Sequence, residues 1–121
     1  MISQLNSSGF AAWRDQAAAG LAPGVLPVVL DVREPWEVQT ASVREDGFSL
    51  LALPMREIPD RLAELKSTLG VGHPIACLCH HGMRSLQVAN YLAQSGFSDV
   101  VNLQGGIEAW TQQVDPSVPR Y

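Results

Sequence analysis

Apolar residues along this chain fall in short blocks, separated by segments whose apolar positions recur every three or four residues. The blocks have strand length and the recurring segments have helical spacing. Val28-Val29-Leu30-Asp31-Val32 is a Val-rich run that predicts a strand buried on both faces. Ile75-Ala76-Cys77-Leu78-Cys79 predicts another, and Val100 to Leu103 the last. Ile2 to Leu5 predicts a short edge strand, and Phe48 to Leu53 a further strand ended by Pro54. Ser7 or Ser8 is suited to cap a helix through about Ala19, with Phe10, Trp13 and Ala17 on one face and Gly20 as its stop. Pro35 suits the first turn of a short helix to Gln39. Pro59 opens a helix through about Leu69, with Leu62 and Leu65 inward and Gly70 and Gly72 closing it. Arg84 to Ser95 forms a helix with Leu86, Ala89, Leu92 and Ala93 apolar and Gly96 as its cap. Gly105-Gly106 leads into a short helix carrying Ile107 and Trp110, and the segment after Val114, with Pro116 and Pro119, is expected to be irregular. This alternation predicts an α/β fold of four or five short parallel strands with helices on both faces.

Composition narrows the classes. The 121 residues are 46% hydrophobic and 17% charged, enough for one globular domain with a real core. Residues 1–121 read as a single unit without repeat or linker. A formal net charge of −4 gives no support to a nucleic-acid-binding surface. No apolar run approaches the ~18 residues of a membrane span, so no membrane partner is expected. Met1 to Gly20 lacks a basic stretch followed by an apolar one, so no secretory signal is expected and the cytosol is the default location.

The two cysteines, Cys77 and Cys79, stand at i and i+2. Such a pair does not form a relaxed disulfide within one strand, and it closes almost no loop. Packing, metal binding or chemistry remain. Cys79 ends a predicted strand, and His80-His81-Gly82-Met83 then leads into a helix at Arg84-Ser85. In an open parallel sheet, ligands bind beyond the carboxyl ends of the strands. The first amides of a helix lack internal partners, and its dipole places partial positive charge there. A tight loop adds inward amides, and Gly82 allows the turn. Together these favour a thiolate, the nucleophilic form of cysteine. From Leu65 to Ser98 there is no Asp or Glu, while Lys66, His73, His80, His81 and Arg84 lie in the same stretch. That distribution suits an anionic substrate.

Three motifs carry a family resemblance. Cys79-His80-His81-Gly82-Met83-Arg84-Ser85, after Ile75-Ala76-Cys77-Leu78, resembles the active-site loop of rhodanese-domain sulfurtransferases. Asp31-Val32-Arg33-Glu34 resembles an early strand-end motif of that family, and Gly105-Gly106-Ile107-Glu108-Ala109-Trp110 its late motif. The resemblance spans roughly Val25 to Trp110. It implies a rhodanese-like, mostly parallel five-stranded sheet flanked by helices. It also implies that Cys79 attacks the sulfane sulfur of a donor such as thiosulfate and carries it as a persulfide. The sulfur then passes to a thiol, cyanide or a protein sulfur carrier, without cofactor or metal. Backbone amides from His80 to Ser85 would hold the anion. Thr40 to Gly47 stands where many members have a Gly-His-Ile stretch, so no contact is carried over from that segment.

Competing readings remain for several residues. Phosphatase-like and arsenate-reductase-like relatives resemble a cysteine followed by five residues and an arginine. Here Arg84 follows Cys79 after four, and the compact loop suits sulfur better. Arg84 keeps phosphate chemistry as an alternative, and a non-catalytic interaction module is another, against which Cys79 itself speaks. Cys77, Cys79, His80 and His81 suit a soft metal by type, but zinc pairs usually leave two to four residues between cysteines and add a distant pair. Cys77 reads as a small buried hydrophobe. His80 and His81 have three available roles: solvated residues, sources of positive field, or acid/base groups. His73 reads as exposed. Asp31 is placed to bond loop amides or Arg33, or to cap the following helix. Arg33 and Glu37 have the spacing of a pair across one helical turn. Trp36 and Trp110 read as core, and the acidic residues Glu34, Glu37, Glu45 and Asp46 as a solvated face.

Overall fold

A computed structural model describes residues 2–121. Strand β1 covers Ser3–Asn6, β2 Val28–Asp31, β3 Ser49–Ala52, β4 Ile75–Leu78 and β5 Val100–Gln104. Helix α1 covers Phe10–Ala19, α2 Pro35–Thr40, α3 Ile58–Leu69, α4 Met83–Gln94 and α5 Gly106–Gln113. The five strands form one sheet in the order β1-β5-β4-β2-β3, with every neighbouring pair parallel.

Strand alternation divides the core between the two faces of the sheet. Val28, Leu30, Ile75, Cys77 and Cys79 pack with Leu65 of α3 and Val88, Ala89 and Leu92 of α4. Val29, Ala76, Leu78 and Leu103 pack on the other face with Phe10 of α1 and Ile107 and Trp110 of α5. Phe10 meets Trp110 edge-on at 4.8 Å between ring centroids, a favoured aromatic geometry. β2 and β4 are buried at every position, as their apolar runs predict, and in β2 this includes the charged Asp31.

The strand order places the site. From β2 the chain moves outward to β3 at one edge; from β4 it moves the opposite way to β5. The direction reverses between β2 and β4, the position where open α/β sheets generally place their ligand sites. The loop after β2 carries Arg33 and Glu34, and the loop after β4 carries Cys79 to Gly82. Registers align their ends, with Asp31 opposite Leu78 and Cys77 opposite Asn102.

Several local expectations are corrected. Neither Ser7 nor Ser8 caps α1: a 3-10 turn over Ser7–Gly9 precedes it, and Gly9 enters with helical backbone. With no extended residue at that boundary, no side chain is aimed back at the first amides. The buried stripe of α4 is Ser85, Val88, Ala89 and Leu92, whereas Leu86 is half-buried and Ala93 exposed. The helix starts at Met83 and turns Ser85 toward β4, and the inward face follows at helical spacing. Trp36 is 62% exposed rather than core, while Trp110 is buried. The segment after α5 lacks helix and strand but is not loose, since Val118 lies in the apolar core. Among the described residues, no helix is long and apolar enough to cross a membrane.

Candidate active site

Cys79 directly follows β4 and is 1% exposed. Its Sγ accepts a hydrogen bond from the Gly82 amide at 3.1 Å and lies 3.3 Å from Ser85 Oγ. Gly82 sits at φ +103°, which L side chains rarely adopt, and it ends the loop at the start of α4. The loop's outward carbonyls are held from behind by α5. The Ile107 amide donates to the Cys79 carbonyl at 2.9 Å, and the Glu108 amide to the His80 carbonyl at 3.2 Å. This docking requires Gly106: a Cβ there would lie 2.4 Å from both carbonyl oxygens. The late Gly105-Gly106 motif is thus a platform under the cysteine loop. With Cys79 and His80 carbonyls directed at α5, the loop turns the Gly82 amide toward sulfur.

A polar chain supports the other side. Ser85 Oγ lies 2.6 Å from Asn102 Oδ1, and Asn102 Nδ2 donates to the Gly82 carbonyl at 3.1 Å and to Gln4 Oε1 at 2.8 Å. The Gly82 carbonyl only accepts, so it sets the amide orientation of Asn102. Asn102 therefore presents its oxygen to Ser85, whose hydroxyl donates there. Ser85 and Asn102 are both buried, so these bonds are shielded from water.

The early motif builds a charge cluster beside the loop. Asp31 and Arg33 form a fully buried bidentate pair, with Arg33 Nε at 2.9 Å from Oδ1 and Nη2 at 2.7 Å from Oδ2. Of the two roles open to Asp31, bonding Arg33 is the one found, and the Arg33 amide also donates to Oδ1 at 3.1 Å. Arg33 further donates to the carbonyls of Ala41 and Glu37 at 2.7 and 3.3 Å. Ala41 belongs to the atypical middle segment, which supplies a ligand to the arginine and packs Ala41 and Val43 into the core.

Arg33 does not pair with the Glu37 carboxylate. It precedes α2, so the spacing rule for one helical face does not govern it. Glu37 instead takes both arms of Arg84, at 2.7 and 2.9 Å, and accepts from the Glu34 amide at 2.9 Å. Glu37 is buried and belongs to no solvated face, which corrects that expectation. The Arg84 guanidinium, aided by the Glu34 amide and the Tyr121 hydroxyl and against the cost of burial, holds this carboxyl at about 2. Arg84 is correspondingly raised, first by its bonds to Glu37. The absence of carboxylates from Leu65 to Ser98 therefore holds along the chain but not in space.

Tyr121 completes the cluster. Its hydroxyl accepts from Arg33 Nη1 at 2.9 Å and donates to Glu37 Oε1 at 2.9 Å. Its ring stacks on His80 at 4.0 Å and 11°, and His80 in turn stacks on His81 at 4.0 Å and 20°. Burial, followed by His81, lowers the His80 pKa against the opposing pull of Glu37 and Glu108. Cys77 is fully buried among apolar neighbours, and burial pushes its thiol up. His73 is half-buried and its Nε2 lies 2.9 Å from the Leu26 carbonyl, far along the sheet from the loop. Among the described residues, no three His, Cys, Asp or Glu side chains gather as metal ligands.

Cys79, Gly82 and Ser85 are thus joined directly, and His80, His81, Arg84, Arg33 and Asp31 are linked around them through Tyr121 and Glu37, with Asp31 and Arg33 fully buried and Met83 71% exposed. Sequence reasoning missed Glu37, Asn102 and Tyr121. A polar Asn inside the otherwise apolar run Val100 to Leu103 was a signal for the second. Nothing in the sequence singles out Tyr121.

A thiol at the switch point of an all-parallel sheet, held at the amide end of a helix, defines an α/β domain built around a strand-end cysteine. Residues 12–113 match the family described as the rhodanese-like domain, and the chain belongs to it. It is 41% identical over 93 residues to a rhodanese-like/PpiC domain-containing protein 12, chloroplastic, of Arabidopsis thaliana, covering 77% of this chain and 30% of that protein. The chain thus spans less than a third of that relative's length. It is 34% identical over 91 residues to a sulfurtransferase of Allochromatium vinosum, covering 75% of this chain and 78% of that protein. The crystal structure of a rhodanese-related protein from Thermoplasma volcanium superposes with a TM-score of 0.71 at 25% identity, covering 98% of this chain and 99% of that one. The family and the Allochromatium sulfurtransferase support sulfur transfer as the general class of chemistry.

Proposed function

We propose that this chain is a sulfurtransferase in which Cys79 carries a sulfane sulfur as a persulfide. The observation that carries the reading is the Gly82 amide donating to Cys79 Sγ at the start of α4. A fixed amide and a helix terminus stabilise negative charge on sulfur in both the thiolate and the persulfide. The Cys79 thiolate attacks the outer sulfur of a small anionic donor such as thiosulfate. The donor's S–S bond breaks, sulfite leaves with the bonding pair, and a Cys79 persulfide remains. A thiolate or cyanide then attacks the terminal sulfur, and the electron pair of the breaking S–S bond returns to Cys79. No external oxidant or reductant is needed. Cys79 is almost fully enclosed, so the reacting sulfur enters as the tip of a small molecule or of an extended thiol, with the His80 to Ser85 backbone around it. In this reading Asp31 and Arg33 support the loop through Glu37 and Tyr121.

The bidentate hold of Glu37 on Arg84 weighs against phosphate chemistry, which calls for an arginine aimed into the loop. Incubation with thiosulfate followed by mass spectrometry tests the proposal. One added sulfur is expected on Cys79. Cys79→Ser is expected to abolish both the adduct and thiosulfate:cyanide activity, while Cys77→Ser keeps most activity. Full activity of Cys79→Ser, or turnover of a small aryl phosphate in place of sulfur transfer, would overturn it.

A further inference from the structure

The residues after α5 lie beyond the family match, which ends at residue 113. They are nevertheless tied down along their length. The Val114 and Asp115 amides donate to the Trp110 carbonyl at 2.8 and 3.0 Å, Val118 is buried, Arg44 bonds Ser117, and Arg120 pairs with Glu108. This path delivers Tyr121 to the cysteine loop. There its ring covers one face of His80, whose other face is covered by His81. Its hydroxyl bridges Arg33 and Glu37, and Glu37 holds Arg84 in the first turn of α4. Tyr121 therefore touches both flanks of the loop: His80 directly, and the residue that follows Met83 through one carboxylate.

We propose that Tyr121 is a positioning residue for the sulfur-accepting loop, its ring fixing His80 and its hydroxyl closing the Arg33–Glu37–Arg84 cluster. The inference rests on the sulfur-transfer reading for its consequence and on geometry alone for its mechanism. His80 immediately follows Cys79, so freedom gained by His80 is passed to sulfur through one peptide unit. Small displacements of a reacting group cost large factors in rate. Tyr121 bonds Arg33 and Glu37 and stacks on His80 without touching Cys79, so it is not a catalytic residue.

The test compares Tyr121→Ala with Tyr121→Phe in the full chain. Two readouts are followed: the rate of Cys79 persulfide formation from thiosulfate, and the His80 ring titration by NMR. The groups facing His80 are His81 in the loop, Glu37 on α2, Glu108 on α5, Arg33 after β2 and Tyr121 itself. Tyr121→Ala uncovers the His80 ring, so its pKa rises toward the ordinary value of 6.5 and loading slows by roughly tenfold or more. Tyr121→Phe restores the stacked face, keeps His80 lowered, and loses within about threefold of rate. Tyr121→Leu, which keeps apolar volume without a planar face, repeats the test if the Ala variant does not fold. Unchanged His80 titration with unchanged loading in Tyr121→Ala, or unchanged loading in Tyr121→Leu, overturns the inference. Failure of the wild-type protein to take up sulfur overturns the sulfur-transfer reading instead, and the His80 titration then still decides whether Tyr121 positions the loop.

Discussion

Replacing Glu37 by Gln removes one charge and keeps the shape of the side chain. In the native state Arg84, the Glu34 amide and Tyr121 hold the carboxylate at about 2, against an ordinary value of 4.5. A carboxyl depressed on folding stabilises the protein wherever it is ionised in both states. That stabilisation is complete above pH 4.5, falls as pH drops through the window, and is gone below about 2. At 1.36 kcal/mol per unit, the shift corresponds to about 3 kcal/mol. Urea denaturation followed by tryptophan fluorescence measures it, with buried Trp110 as a reporter. Wild type minus Glu37→Gln is expected to be about 3 kcal/mol at pH 7 and to shrink toward zero near pH 2. Other carboxylates titrate in both proteins, and their contributions cancel in the difference. A difference that is constant from pH 7 to pH 2.5 would refute the assignment of charge to this cluster, because it would mark a packing defect. The same variant frees Arg84, so it also asks whether phosphate-ester turnover rises once the arginine is no longer held.

The remaining predictions concern the loop's supports. Gly106→Ala places a Cβ against the Cys79 and His80 carbonyls at φ +60°; we expect a loss of about 3 kcal/mol or more in thermal and urea unfolding. Asn102→Ala strands the Gly82 carbonyl and the Ser85 hydroxyl; a cost of about 1–3 kcal/mol is expected, with slower alkylation or sulfur uptake at Cys79 than stability alone explains. Asp31→Ala leaves Arg33 charged and buried without its pair; denaturation is expected to show a loss of about 3–5 kcal/mol, whereas a loss below about 1 kcal/mol would mean that the Ala41 and Glu37 carbonyls suffice.

Much of this protein was open to reading along the chain. β2 and β4 are buried on both faces, and such strands write themselves as dense apolar runs, broken in β2 only by Asp31. Cys79 could be placed at a strand end before a helix because strand, turn glycine and helix follow one another within ten residues. Rules that act over so short a range need no knowledge of the rest of the fold. The Asp31-Val32-Arg33-Glu34 and Gly105-Gly106 motifs could be recognised for the same reason, though not what they do.

Their roles were decided only when the sheet order set β2 beside β4 and β4 beside β5. That order joins Glu37 to Arg84 across 47 residues and Ser85 to Asn102 across 17. It turns an expected Arg33–Glu37 pair into two separate ion pairs, and takes Glu37 out of the acidic face on which Glu45 and Asp46 remain exposed. Tyr121 is the plainest case, 84 residues from Glu37 in a stretch with no periodic signal. Periodicity and local turn chemistry thus determined the elements, the class of fold and the position of Cys79 at a strand end. The partners of each buried polar group were decided by the tertiary structure. Most buried donors and acceptors are satisfied by whatever the packed fold brings within hydrogen-bond reach, and for Glu37, Ser85 and Tyr121 that partner is remote in sequence.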